Sequence, residues 1–295
     1  MNLGDILDGA FRLITANWRA VMLIAGVFLV PTQLLGAYLQ KDIMGGVGFL
    51  DMLSDPLAIE QMEQQQAFMD LGPVIGPIIL GLLTLLALPF IAGAISKVVA
   101  ASHLGEQIGA GPALAAAGKR WWSLLGSWIL VHLIEFGPLI VAIGIAVAGA
   151  VMGSAPLAIL GVLLAVAAGL AILPIMALFV AVAPAIVVEG LGPIEGMRRS
   201  ARLMRPRFWP VLGAAVVSGL LASVISAALS FVPQTMALLI GMHRAWPLVG
   251  VGAILANLVA LPFVAGVATL LYIDGRVRSE GFDLELMAAE LAGGS

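Results

Sequence analysis

The sequence predicts an all-α, polytopic membrane protein of six transmembrane helices, and three observations carry that expectation. The 295-residue chain is 61% hydrophobic and 11% charged, with a mean hydropathy of +1.11, values outside the range of soluble domains. Its apolar residues gather into runs of ~20 or more, enough for a helix to cross a bilayer. Its basic residues alternate between rich and poor connectors. The net charge of −3 gives no reason to expect a nucleic-acid partner. The absence of cysteine excludes disulfides and thiolate chemistry.

Residues 1–19 place Leu3, Ile6, Leu7, Ala10, Phe11 and Ile14 at helical spacing, which predicts an interfacial amphipathic helix leading into span one, Ala20 to Leu39. Asp5 and Asp8 stand where a cleavable signal peptide would be basic, so the first apolar run is expected to remain as an anchor. Residues 41–71 form the one long polar interval, with six acids and Lys41 as its base. It is expected to be an extracytoplasmic loop, helical from Leu57 to Asp70.

Span two runs from about Val74 to Ser96. Between Ser123 and Val188 the only ionisable side chains are His132 and Glu135, and Met152 to Pro156 divides this stretch into spans three and four, with kinks expected at Pro138 and Pro174. Span five is Trp209 to Ile240. A short turn holds His243 and Arg244, and span six is Pro247 to Ile273. A helical tail from Asp274 follows.

The connectors hold, in order, 2, 1, 3, 0, 5, 1 and 2 Lys or Arg residues, so twelve lie on one side and two on the other. The positive-inside rule then predicts cytoplasmic N- and C-termini in a bacterial cytoplasmic (inner) membrane. Three spans between residues 123 and 188 would carry Arg198, Arg199, Arg202, Arg205 and Arg207 to the wrong side, which favours two.

Leu88-Pro89-Phe90, Leu173-Pro174-Ile175 and Leu261-Pro262-Phe263 recur at intervals of 85 and 88 residues. Glu106, Glu189 and Glu280 follow each motif beside a glycine, and Trp18, Trp121 and Trp209 open the preceding spans. The expectation is a single membrane domain, 1–295, of three repeated units of an interfacial helix and two spans. They cover about 1–103, 104–190 and 191–295.

Ala185 to Gly190, then Arg198-Arg199-Ser200, Arg202-Leu203 and Phe208-Trp209, resemble the membrane domain of the glycerophosphoryl diester phosphodiesterase family. The tail, Tyr272, Asp274, Arg276, Arg278 and Glu280 to Leu284, is similar to it, as are Leu3 to Asp8 with Phe11-Arg12-Leu13. The resemblance implies the membrane module alone. Nothing in the sequence corresponds to the family's catalytic barrel, so phosphodiesterase activity is not expected.

Five arginines between Pro184 and Pro210 are the first candidate site. Arg198, Arg199, Arg202, Arg205 and Arg207 sit beside a span, where bases attract anionic headgroups at ~1 kcal/mol each. Topology alone would also explain them. Four intramembrane polar residues form the second: His132, Glu135, Gln234 and Asn257. A carboxylate at Glu135 is costly in lipid, which raises a functional role beside a structural one. Ser223, Ser226, Ser230 and Gln234 on span five are expected to be helix–helix contacts. His103 with Glu106, and His132 with Glu135, could each share a helix face, yet two such pairs make no metal site unless their helices meet. No phosphate loop, nucleophile elbow or zinc-protease motif occurs.

The expectation is therefore a non-catalytic membrane module without cofactor or metal. It would contact anionic or glycerophospholipids and scaffold a membrane partner or a second copy of itself. A small permease or channel with Glu135 in its path is the alternative, and a membrane-embedded His/Glu enzyme the third.

Overall fold

The computed structural model describes residues 2–41, 50 and 72–281, so the polar interval expected as a loop lies almost wholly outside the described residues, as does the tail beyond Gly281. The described residues form helices and no strand. In chain order they are α1 (Leu3–Ala16), α2 (Trp18–Gln40), α3 (Gly72–His103), α4 (Ala110–Lys119), α5 (Trp121–Val151) and α6 (Ala155–Phe179). Then come α7 (Val182–Glu189), α8 (Pro193–Met204), a 3-10 turn (Arg205–Arg207), α9 (Phe208–Ile240) and α10 (Met242–Glu280). Six segments are long and apolar enough to cross a membrane. Among the described residues, the short helices α1, α4 and α8 each precede a long apolar helix, with α7 standing between α6 and α8.

α1 begins with reciprocal capping: the Asp5 N–H donates to Asn2 Oδ1 at 2.9 Å, and the Asn2 N–H donates to Asp5 Oδ2 at 2.8 Å. Its apolar stripe does not face lipid alone. Ile6, Ala10 and Ile14 are buried against α10, where Gly266 lets Ile14 and Ala10 approach, while Leu3 and Phe11 stay exposed. α4 docks likewise through buried Ala113 and Ala117. A row of rings, Phe28 to Phe90 (5.3 Å) and Phe90 to Trp121 (5.5 Å), ties α2, α3 and α5 together.

α10 is the hub. It packs on α1, α2, α3, α8 and α9, and every residue from Ala265 to Gly275 is buried, as expected of a helix that is apolar all round. Its 39 residues rise ~58 Å at 1.5 Å each, far more than the ~30 Å hydrocarbon core. The apolar part ends at Ile273, and the last two turns carry Asp274, Arg276, Arg278 and Glu280 beyond it. The turn expected at His243 and Arg244 shrinks to Gly241 (φ 83°), so both residues join the first turn of α10.

α5 and α6 form a hairpin held by close backbone approach. A Cβ on Gly161 would lie 2.2 Å from the Ala146 nitrogen, and one on Gly149 would lie 2.3 Å from that of Ala158. Pro138 and Pro174 remain inside their helices. The helix is interrupted at Val180 and Ala181. Pro184 lacks the N–H that would bond the Val180 carbonyl, and it sits in the first turn of α7, where proline is tolerated.

Candidate functional site

Two requirements fix the chain at the end of α7. Gly190 adopts φ 71°, and a Cβ there would lie 2.7 Å from the Arg120 guanidinium. Only glycine satisfies both without strain. The reversal brings Gly192 and Pro193 to the start of α8, where the Gly192 N–H donates to Glu195 Oε2 at 2.9 Å. α8 then lies against the break in the preceding span. Gly196 meets Ile186 closely, and Met197, Ser200, Leu203 and Met204 are buried.

Ser200 stitches that break. It is fully buried; its Oγ donates to the Leu178 carbonyl at 2.7 Å and accepts from the Ala181 N–H at 3.2 Å. Both backbone groups lose their helical partners where α6 stops, and an unpaired group in lipid costs several kcal/mol, of order 2–7.

One residue away, Arg199 joins three helices. Its Nε donates to Glu189 Oε1 and Oε2 at 2.8 and 2.9 Å, its Nη2 donates to Glu280 Oε2 at 2.7 Å, and its Nη1 pairs with Glu280 Oε1. The Arg199 side chain is 14% exposed. Glu189 also accepts from the Tyr272 hydroxyl at 2.6 Å, and Arg276 Nε lies 3.3 Å from Glu280 Oε2. Bidentate arginine–carboxylate pairing of this kind is among the strongest hydrogen bonding available to side chains. The hydrogen bond to Glu280, assisted by Glu189 and opposed by burial, holds the Arg199 guanidinium above its ordinary range. The same bond holds the Glu280 carboxyl below its usual value. Beside this cluster, Asp274 is paired with Arg207 and accepts from Arg278 Nε at 3.1 Å.

The five arginines therefore divide. Arg199 and Arg207 are taken up by carboxylates from α7 and α10, whereas Arg198, Arg202 and Arg205 are exposed with no partner among the described residues. Spacings of four and three put the latter on one face. Chemically, the cluster is a clamp: both carboxylates are saturated by donors and fix α7, α8 and α10 at one end of the bundle.

The four intramembrane polar residues do not form one site: His132 and Glu135 lie three residues apart on α5, while Gln234 and Asn257 belong to α9 and α10. His132 Nδ1 bonds the Trp128 carbonyl of its own helix at 2.9 Å, and Asn257 Nδ2 donates to its own Ala253 carbonyl at 2.8 Å. Glu135 is buried on α5, and Gln234 is exposed on α9. Of the serines expected to make helix–helix contacts on span five, Ser223 differs. Ser223 is exposed and donates to the Gly219 carbonyl of α9 itself at 2.9 Å, because a serine in a helix can satisfy its hydroxyl one turn back. His103 and Glu106 are exposed at the end of α3, and no group of three metal-ligating side chains occurs among the described residues.

Sequence reasoning singled out Glu189, Glu280 and the arginines separately but missed their union, along with the roles of Tyr272 and Asp274. The Glu-Gly pairs at Glu189-Gly190 and Glu280-Gly281 were the available signal. No curated protein and no solved structure matches the chain. A family model does, over residues 1–274, and the chain belongs to that family, whose description is Domain of unknown function (DUF7847).

Proposed function

We propose that this protein is a non-catalytic module of a bacterial cytoplasmic membrane that contacts anionic phospholipids and organises a membrane partner. The observation that carries the proposal is the exposed face of Arg198 and Arg202 on α8 with Arg205 at the start of the 3-10 turn that follows. The clamp at Arg199 and the pair at Arg207 hold that helix against the bundle, so the three free guanidiniums are presented together. Each base beside an anionic surface contributes ~1 kcal/mol.

The twelve-to-two bias of Lys and Arg supports placing this face, and both termini, in the cytoplasm. The short helices α1, α4 and α8, each preceding a long apolar helix, support the three-unit organisation. The resemblance to the membrane domain of glycerophosphoryl diester phosphodiesterases supports a glycerophospholipid environment without that family's hydrolytic chemistry. A permease would need a polar path at Glu135. The cavity that His132 lines is almost wholly apolar and does not count Glu135 among its lining residues, which favours the module.

The test is the lipid composition of the purified protein. Arg198→Gln, Arg202→Gln and Arg205→Gln together should lower the share of anionic lipid retained. A folded triple variant with the share of the wild type would refute the proposal.

A further inference from the structure

Where the break between α6 and α7 faces the bundle, a cavity of about 270 Å³ lies among α3, α5, α7 and α10. Its wall is almost wholly apolar, with Leu88, Pro89, Val131, Phe179 and Leu261 among the contributors. Cavities of this character stay dry and take apolar guests; one of about 150 Å³ already binds benzene or xenon. Val264 on its wall is exposed, and Val131 and Leu261 are half-buried, so the cavity opens sideways toward the surrounding lipid.

One polar feature has no internal explanation. Ser96 lines the cavity, is 1% exposed, and its Oγ has no hydrogen-bond partner among the described residues. A buried hydroxyl left unpaired is costly. The other serine in the wall, Ser127, donates to the Leu124 carbonyl at 2.9 Å and is satisfied. Depth matters as well. Lys97, the first charged residue after this span, follows Ser96 directly, so Ser96 stands near the polar boundary. Leu88, eight residues earlier, lies ~12 Å deeper at 1.5 Å per residue.

We infer that this cavity holds one hydrocarbon tail of a membrane glycerolipid, with Ser96 Oγ donating to its ester carbonyl. The tail runs inward along Leu88, Pro89 and Leu261, and the ester rests at the depth where bilayer esters lie. A charged headgroup does not fit, because no carboxylate, lysine or arginine lines the wall and its surface is almost wholly apolar. The inference is independent of the arginine face.

Native mass spectrometry of protein released from nanodiscs of pure phosphatidylcholine tests it, since a zwitterionic lipid minimises the arginine contribution. The wild type should retain one lipid. Ala92→Phe, which places a ring in the cavity, should abolish retention. Ser96→Ala removes no bond within the protein, so it should fold as the wild type does. It should hold the lipid about threefold to tenfold more weakly, the worth of one neutral hydrogen bond. The triple Gln variant of Arg198, Arg202 and Arg205 should retain it unchanged. A wild type without bound lipid, an Ala92→Phe protein that keeps it, or undiminished retention in Ser96→Ala overturns the inference.

Discussion

Arg199 Nε lies 2.8 and 2.9 Å from the two carboxylate oxygens of Glu189, joining the last residue of α7 to the helix that precedes α9. The far side of the same guanidinium reaches Glu280 at the end of α10, 81 residues away. One planar cation thus fixes three helix ends.

Removing it should be costly. Arg199→Gln leaves Arg276, 4.0 Å from Glu189 and 3.3 Å from Glu280, as the one cation beside the two carboxylates among the described residues. Breaking a largely buried pair costs roughly 3–5 kcal/mol, and Arg276 offsets part of that. Thermal unfolding in detergent should show a marked fall in midpoint. Adding Glu280→Gln should recover part of the loss, because the repulsion goes with it.

The pH dependence has a definite sign. The Glu280 carboxyl titrates lower in the folded protein than in the unfolded chain, chiefly through the Arg199 hydrogen bond. A lowered folded value means its stabilisation is fully present above the unfolded value of 4.5 and is lost as pH falls toward and through the folded value. The midpoint of unfolding should hardly change from pH 7 to near 5 and drop in more acid solution. Glu280→Gln should flatten that drop, and an unaltered profile in the variant would contradict the assignment.

Ser200→Ala should destabilise by about 1–3 kcal/mol, the penalty of leaving buried polar groups unpaired, since the Leu178 carbonyl and Ala181 N–H lose their shared partner. Hydrogen exchange at Ala181 should accelerate locally. A variant with native protection there would show that the break is satisfied in another way.

Gly190→Ala meets two obstacles, the positive φ and the Arg120 guanidinium. The left-handed conformation alone costs roughly 1–2 kcal/mol. If Arg120 yields, the double change Gly190→Ala with Arg120→Ala should recover the steric part and leave the backbone part, as a thermodynamic cycle of unfolding midpoints will report.

The six spans were legible because apolar run length and basic connectors are local properties of the chain. α2, α3, α5, α6 with α7, α9 and α10 match the expected positions closely. The break was not legible at its true position. Pro174 drew attention by its repeated motif, yet the discontinuity belongs to Val180 and Ala181, where Pro184 removes a donor and Ser200 supplies replacements. The ionic cluster was still less accessible. Arg199 to Glu280 and Arg207 to Asp274 span 81 and 67 residues, and nothing in a single sequence tells which arginine of five will turn inward. Burial decides it: α8 offers Met197, Ser200 and Met204 to the bundle, which leaves Arg198, Arg202 and Arg205 outside.

The selectivity of the protein for spin-labelled phosphatidylglycerol over phosphatidylcholine in mixed bilayers tests the lipid-contact proposal most directly. The wild type should favour the anionic lipid, less so at high salt. Changing Arg198, Arg202 and Arg205 to Gln should remove that preference, at about 1 kcal/mol per arginine, while the unfolding midpoint stays near that of the wild type. Equal selectivity in the folded triple variant would contradict the proposed role of this face.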